Sequence, residues 1–225
     1  MFFFMKLGVL FSGGKDSTYS AWLVKQKGHE LACLISVFSE NPDSYMFHTP
    51  SIESVKQQAK AMGIPLLVQK TKGEKEKELE DLEKVIKEAK EKYHIEGVVS
   101  GALASNYQKS RIGNICKKLN LKSITPLWHK NEIDYLNELV NNKFKIIITG
   151  VAAYPLDEKW IGREINDKFI QDAKKLHEKY KIHPAGEGGE FETFVLNCPL
   201  FKAPLKIKSK KVSGDGNSWR MELKI

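Results

Sequence analysis

The chain has 225 residues, 41% of them hydrophobic and 28% charged, with a formal net charge of +8 and a pI near 9.2. That length supports one large domain or two modest ones, and the ordinary composition excludes fibrous and disordered classes. No apolar run is long enough to cross a bilayer, and Cys33, Cys116 and Cys198 are scattered without a Cys-x-x-Cys pair, which excludes a disulfide framework and a structural zinc site.

A reducing, cytoplasmic setting with no membrane partner is therefore expected. The opening Met1-Phe-Phe-Phe-Met5 lacks a basic region and a cleavage site and reads as an extension of the first strand. Leu7 to Phe11 is an apolar run that predicts a buried strand, and Ser17 to Lys27 carries a helix-compatible pattern. Between them lies Ser12-Gly13-Gly14-Lys15-Asp16-Ser17. Unpaired N–H groups at such a strand-to-helix turn, with the positive end of the helix dipole, form an anion cradle. Gly13 and Gly14 let the backbone approach a phosphate, Ser12 and Ser17 add hydroxyl donors, and Lys15 adds a charge. Asp16 would repel a bare phosphate, so it implies a cation between the two, most simply magnesium. A Walker loop is excluded, because Val9 stands where its first glycine belongs and Asp16 where its Ser or Thr belongs; Gly-x-Gly-x-x-Gly is absent too. The stretch resembles the PP-loop of the N-type ATP pyrophosphatases, which cleave ATP between the α and β phosphates.

Leu31 to Phe38 predicts a second strand, which in a parallel sheet places Val37 to Ser39 near the adenine. The following loop holds Tyr45, Met46, Phe47 and His48; for His48 a structural and a substrate-binding role stand equal. Ile52, Val55, Ala59 and Met62 mark a helix, Pro65 to Gln69 a short strand, and Leu79, Leu82, Val85, Ile86 and Ala89 the apolar stripe of a long charged helix. Much of the charge lies in Lys70 to Lys92, where Lys and Glu alternate as on a solvated helix face. Gly97 to Gly101 is a strand and its exit, and Ala104 to Arg111 opens another helix. Ser123 to Leu127 and Lys145 to Val151 read as further strands, with a helix around Ile133 to Val140 between them. This alternation predicts a doubly wound parallel α/β sheet over residues 1–150. A smaller α+β domain over 151–225 is expected to hold one amphipathic helix from Gly162 to Lys181. A hairpin follows, with Lys206 to Val212 and Trp219 to Ile225 flanking Ser213 to Ser218.

His183-Pro-Ala-Gly-Glu187-Gly188-Gly189-Glu190-Phe191-Glu192-Thr193 is the second dense stretch. Carboxylates this close repel, so the stretch is either an acidic surface turn or faces a cation or donor. This Glu-rich motif, the Ser-Gly-Gly-Lys-Asp-Ser loop and Gly101 through Tyr107-Gln108 to Arg111 together resemble the diphthine–ammonia ligase family across nearly the whole chain. The resemblance implies ATP-dependent adenylation of the diphthine carboxylate on translation elongation factor 2, release of pyrophosphate, and attack by ammonia to give diphthamide and AMP. It implies that Ser12, Gly13, Gly14, Lys15, Asp16, Ser17, Ser39 and Gly101 bind ATP, with Asp16 also holding Mg2+. Asp16, Glu187 and Glu190 become the candidate catalytic residues, and His48, Tyr107, Gln108, Arg111, Gly188, Gly189, Glu192 and Thr193 the candidate substrate contacts. Arg111 fits either a phosphate or carboxylate clamp or a surface salt bridge. One of Glu187 and Glu190 could take a proton from the attacking nitrogen. The loop could also face the trimethylammonium group, with Phe191, Phe194, Tyr154 or Trp160 supplying ring faces. A PP-loop enzyme acting on tRNA and a nucleotide-binding sensor without turnover remain as other readings. RNA is a less favoured partner, and a homodimer is compatible with the sequence.

Overall fold

The computed structural model describes residues 4–39, 52–72 and 77–225, so His48 and its aromatic neighbours lie outside the described residues. The chain divides into two units, Met1–Trp128 and His129–Ile225.

In the first unit the elements alternate: β1 (Lys6–Leu10), α1 (Lys15–Gln26), β2 (Glu30–Ser39), α2 (Ile52–Met62), β3 (Leu66–Thr71), α3 (Lys77–Tyr93), β4 (Gly97–Val99), α4 (Asn106–Lys118) and β5 (Lys122–Ile124). The strands form one parallel sheet in the order β3-β2-β1-β4-β5. This is the expected doubly wound arrangement. Leu7, Val9, Leu34, Val98 and Val99 have no exposed surface, as strands covered on both faces require. The α3 stripe Leu82, Val85, Ile86 and Ala89 packs with Ile35, Val37 and Val98 in one core cluster. The order of connection reverses between β1 and β4, and ligands of such sheets bind beyond the strand ends at that reversal.

The second unit contains α5 (Glu132–Asn141), β6 (Lys145–Ala152), α6 (Asp167–Tyr180), β7 (Phe191–Asn197), β8 (Ser209–Asp215) and β9 (Ser218–Lys224). Its sheet is antiparallel in the order β7-β6-β9-β8, around Ile147, Phe194, Leu196, Met221 and Leu223. This moves the expected boundary near residue 150 back to the Trp128–His129 junction. The physical reason is that β6 pairs with β7 and β9 instead of extending the parallel sheet, and α5 packs with α6.

The helix expected from Gly162 begins later. Gly162 ends a turn at φ +80° and residues 163–165 then run beside β6, with Gly162 N–H bonded to Ile148 O and Ile165 N–H to Ile146 O, both at 2.9 Å. Asn166 then caps α6, its side chain accepting from Phe169 N–H at 3.0 Å. The hairpin is present, with strands reaching inward to Asp215 and Ser218 so that Gly216 and Asn217 alone turn the chain. Among the described residues no helix is long and apolar enough to cross a membrane.

Candidate active site

The first unit's candidate site is the loop between β1 and α1. Gly14 occupies the N-cap position without a side-chain cap, at the end of α1 whose dipole and backbone N–H groups favour an anion. The loop is held from within. Ser17 Oγ donates to Gly14 O at 3.2 Å, accepts from Ser12 N–H at 3.3 Å and meets Ser12 Oγ at 3.2 Å, while Thr18 Oγ1 donates to Gly14 O at 2.8 Å. It is also held from outside, by Gln58 on α2, which donates to Gly13 O at 2.9 Å, and by Ser36 on β2, which donates to Phe11 O.

Two glycines here are required by geometry. Gly13 has φ +81°, and a Cβ there would stand 2.2 Å from Gln58 Oε1. A Cβ on Gly101 would stand 2.8 Å from the Asp16 carbonyl carbon and Ser17 N, so Gly101 lets the exit of β4 press on the first turn of α1. Lys15 is buried, and its Nζ lies 2.9 Å from Asp16 Oδ2. The Asp16 carboxylate therefore already faces a cation. Among the described residues no cluster of three or more His, Cys, Asp or Glu is arranged to hold a metal ion. A lone aspartate nevertheless fits magnesium, which takes one or two carboxylates and completes its shell with phosphate and water oxygens. Ser39 ends β2 at the same edge of the sheet, paired with Thr71.

On α4, Ser105 caps the helix by accepting from Gln108 N–H at 3.3 Å. The Arg111 guanidinium lies 3.5 Å from the centre of the Tyr107 ring, one turn away, and Lys109 sits 3.8 Å over Trp128. The Tyr107–Arg111 motif is thus a stacked pair that fixes the plane of the guanidinium.

In the second unit the Glu-rich stretch forms a closed turn before β7. Glu190 Oε1 accepts from His183 N–H at 2.9 Å and Oε2 from Gly188 N–H at 2.8 Å. His183 Nδ1 accepts from Ala185 N–H at 3.2 Å, and its Nε2 lies 3.4 Å from Glu132 Oε1 on α5. An accepting Nδ1 places the ring proton on Nε2, facing that carboxylate. Gly186 and Gly189 take positive φ, and a Cβ on Gly188 would stand 2.9 Å from Glu190 Oε1. Glu190 is therefore the brace of the turn, with both oxygens accepting backbone N–H groups. Glu187 is half-buried on the turn, and Thr193 is buried in β7. Glu192 lies against Gly150 of β6, its Oε2 3.1 Å from where a Cβ would be.

The expected ring faces need correction. Phe191 and Phe194 belong to the core, and the Arg163 guanidinium covers Trp160 at 4.0 Å. Tyr154, 68% exposed, keeps an open ring, set edge-on to Tyr180.

Sequence reasoning missed Gln58, Ser36 and His183. Gln58 was legible as the polar residue on the buried stripe Val55–Ala59–Met62. Ser36 and His183 carry no such local signal.

The three thiols are packing groups. Burial pushes Cys33 and Cys198 up to about 12 and Cys116 to about 11; Glu88 adds to the rise at Cys33, and hydrogen bonding lowers the other two. A thiol raised in the folded state supports stability below pH 9 and withdraws that support as pH climbs toward 11–12, because only the unfolded chain releases the proton early. Melting curves should accordingly fall above pH 9, and Cys→Ser substitution at Cys33 should flatten that limb. Iodoacetamide should label none of the three at pH 8 until denaturant is added. Rapid labelling of native Cys198 would show it to be a reactive group instead of a packing one.

Residues 5–123 match the family model of the diphthamide synthase N-terminal domain, and residues 131–223 that of the diphthamide synthase C-terminal domain. Their border agrees with the division after Trp128. The chain is 37% identical to the diphthine–ammonia ligase of Bos taurus over 227 residues, covering 92% of this chain and 85% of that one. It is 36% identical to that of Homo sapiens with the same coverage. Among solved structures, one described as a predicted subunit of tRNA methyltransferase from Methanocaldococcus jannaschii aligns at a TM-score of 0.42 and 20% identity, over 87% of this chain and 98% of that one, too loosely to inform function. With both halves matched in order and the relatives alike over nearly their whole length, the chain belongs to the diphthamide synthase family.

Proposed function

We propose that the protein is an ATP-dependent carboxylate–ammonia ligase that converts diphthine on translation elongation factor 2 to diphthamide. The observation that carries this is the 36–37% identity to diphthine–ammonia ligases over 92% of the chain.

A carboxylate resists attack by ammonia because its oxygen leaves poorly. In the first step the diphthine carboxylate oxygen attacks the α phosphorus of ATP, the bond to the bridging oxygen of the β phosphate breaks, and pyrophosphate departs. In the second step ammonia attacks the acyl carbon, the bond to the AMP oxygen breaks, and a proton leaves nitrogen. In the first unit the α1 N-terminus, Gly13 and Gly14 N–H groups and the Ser12 and Ser17 hydroxyls hold the phosphates. Lys15 turns from Asp16 to the charge growing on pyrophosphate. Asp16 would hold Mg2+, which neutralises phosphate charge when bound. Arg111, held flat on Tyr107, is the bidentate partner for a phosphate or carboxylate, with Gln108 beside it. In the second unit Glu187 takes the proton from the attacking nitrogen, and the turn braced by Glu190 presents negative charge to the cationic substrate groups, with Tyr154 as ring face.

Incubation with ATP, magnesium, ammonium and diphthine-bearing factor should release AMP and pyrophosphate in equal amounts, and only with the modified factor. Products of ADP and phosphate, or turnover on tRNA instead, would overturn the assignment.

A further inference from the structure

The Lys70 to Lys92 stretch, rich as it is in charge, is neutral: its eight lysines are matched by eight acidic residues. The surplus lies elsewhere. Between Phe201 and Val212 stand five lysines and no acidic residue, and Arg220 and Lys224 follow against only Asp215 and Glu222. This C-terminal stretch thus holds five of the chain's eight net positive charges. The structure places two of them, Lys210 and Lys211, on β8, an outer strand of the second sheet, and Arg220 and Lys224 on its neighbour β9. β8 is last in the order β7-β6-β9-β8, and six of its seven residues are exposed. Lys210 sits opposite Leu223 and Lys211 opposite Glu222, so consecutive lysines project to the two faces and fringe the edge on both sides. Lys206 and Lys208 extend the fringe along the approach to the strand.

We propose that this lysine-fringed edge is the docking surface for the protein substrate and receives an acidic, extended segment of it. The inference rests on the ligase reading, since it is that reaction which needs a protein partner. Three features point to a polypeptide. The outer strand offers main-chain donors and acceptors on alternate residues along about 23 Å, seven residues at ~3.3 Å each; another polypeptide can answer both, whereas a phosphodiester group only accepts and leaves the carbonyls unanswered. The lysines supply the complementary charge and long-range attraction. The register also connects this edge to the Glu-rich turn. Ser213 pairs with Arg220, Arg220 with Gly150, and Gly150 with Glu192, so one transverse row runs from the edge to β7, roughly 14 Å at about 4.8 Å per strand. A segment added beside β8 would be held within a short reach of that turn. The competing account is that edge lysines only prevent sheets from joining.

The test is the triple variant Lys208→Glu, Lys210→Glu, Lys211→Glu, with a Lys→Gln triple as a milder companion. Binding of diphthine-bearing elongation factor 2 is measured by surface plasmon resonance without ATP, at 50 and 300 mM salt, and steady-state kinetics are run alongside. The proposal expects affinity for the factor to fall at least tenfold at low salt in the Glu variant, less in the Gln variant, with the gap closing at high salt. The KM for ATP and kcat at saturating factor should stay unchanged. Unchanged affinity for the factor would overturn it, as would self-association of the variants without loss of binding, or loss confined to an RNA probe. A wild-type protein that binds the factor but does not turn over would sink the ligase reading while leaving the docking surface standing.

Discussion

Replacing Gly13 by alanine is expected to lower kcat/KM for ATP by about a hundredfold or more, the scale associated with losing fixed donors to a developing anion. Two separate costs converge at this position. The backbone is in the left-handed region at φ +81°, which costs a residue with a side chain about 1–2 kcal/mol. The new methyl would stand 2.2 Å from Gln58 Oε1, and Gln58 is fully buried, with its amide bonded to Gly13 O. The glutamine has nowhere to swing without giving up that bond, worth about 1–3 kcal/mol when a buried group is left without it. The first unit should therefore melt on the order of 10–20 °C lower while remaining folded at room temperature. The variant pair separates the two costs. Shortening Gln58 to alanine makes room for the methyl, so Gly13→Ala combined with Gln58→Ala should be less destabilised than the sum of the singles. Pyrophosphate release and differential scanning calorimetry read both effects. Wild-type ATP kinetics in Gly13→Ala would mean the nucleotide is held elsewhere.

The second large effect is expected at Glu190. Its two oxygens each accept a backbone N–H, from His183 and from Gly188, so alanine there removes both ends of the brace at once. Hydrogen bonds to a charged group are worth about 1.5–3 kcal/mol each. The half-exposed setting puts the combined loss near the lower end, roughly 3 kcal/mol. Gln keeps one accepting oxygen but turns an NH2 group toward a donor, so Glu190→Gln should fall between alanine and wild type in stability. The informative comparison is with Glu187→Gln. If Glu190 works by shaping the turn, Glu190→Ala lowers turnover together with protection of the 183–190 amides from hydrogen exchange, whereas Glu187→Gln lowers turnover with protection intact. Glu190→Ala with wild-type turnover would remove the turn from the reaction.

The parallel sheet and the glycine turn between β1 and α1 were legible because their signals are local. The apolar runs of β1 and β2 announce strands buried on both faces, and two glycines between a strand and a helix have few other uses. What the sequence could not disclose is which strands become neighbours. β6 is as apolar as β1, with Ile146, Ile147 and Ile148 in a row, yet it pairs with β7 and β9. An apolar run states that a strand is covered, not by what. The Glu-rich stretch shows the same limit at the scale of a side chain. Glu187 and Glu190 are equivalent in the sequence, and they separate only when the turn brings the His183 N–H back to one of them. The aromatic residues Phe191 and Phe194 were likewise open to a ligand role until packing claimed them.

The pairing of β1 with β4 has a consequence for biosynthesis. Leu7 lies beside Gly97, and Gly101 is the residue pressed against the first turn of α1. A nascent chain therefore carries its strand-to-helix turn from the outset but lacks the neighbour that seats it until close to half of the polypeptide has been made. Through that interval the turn has no β4 exit to press against, and its folded shape waits on residues about ninety positions downstream.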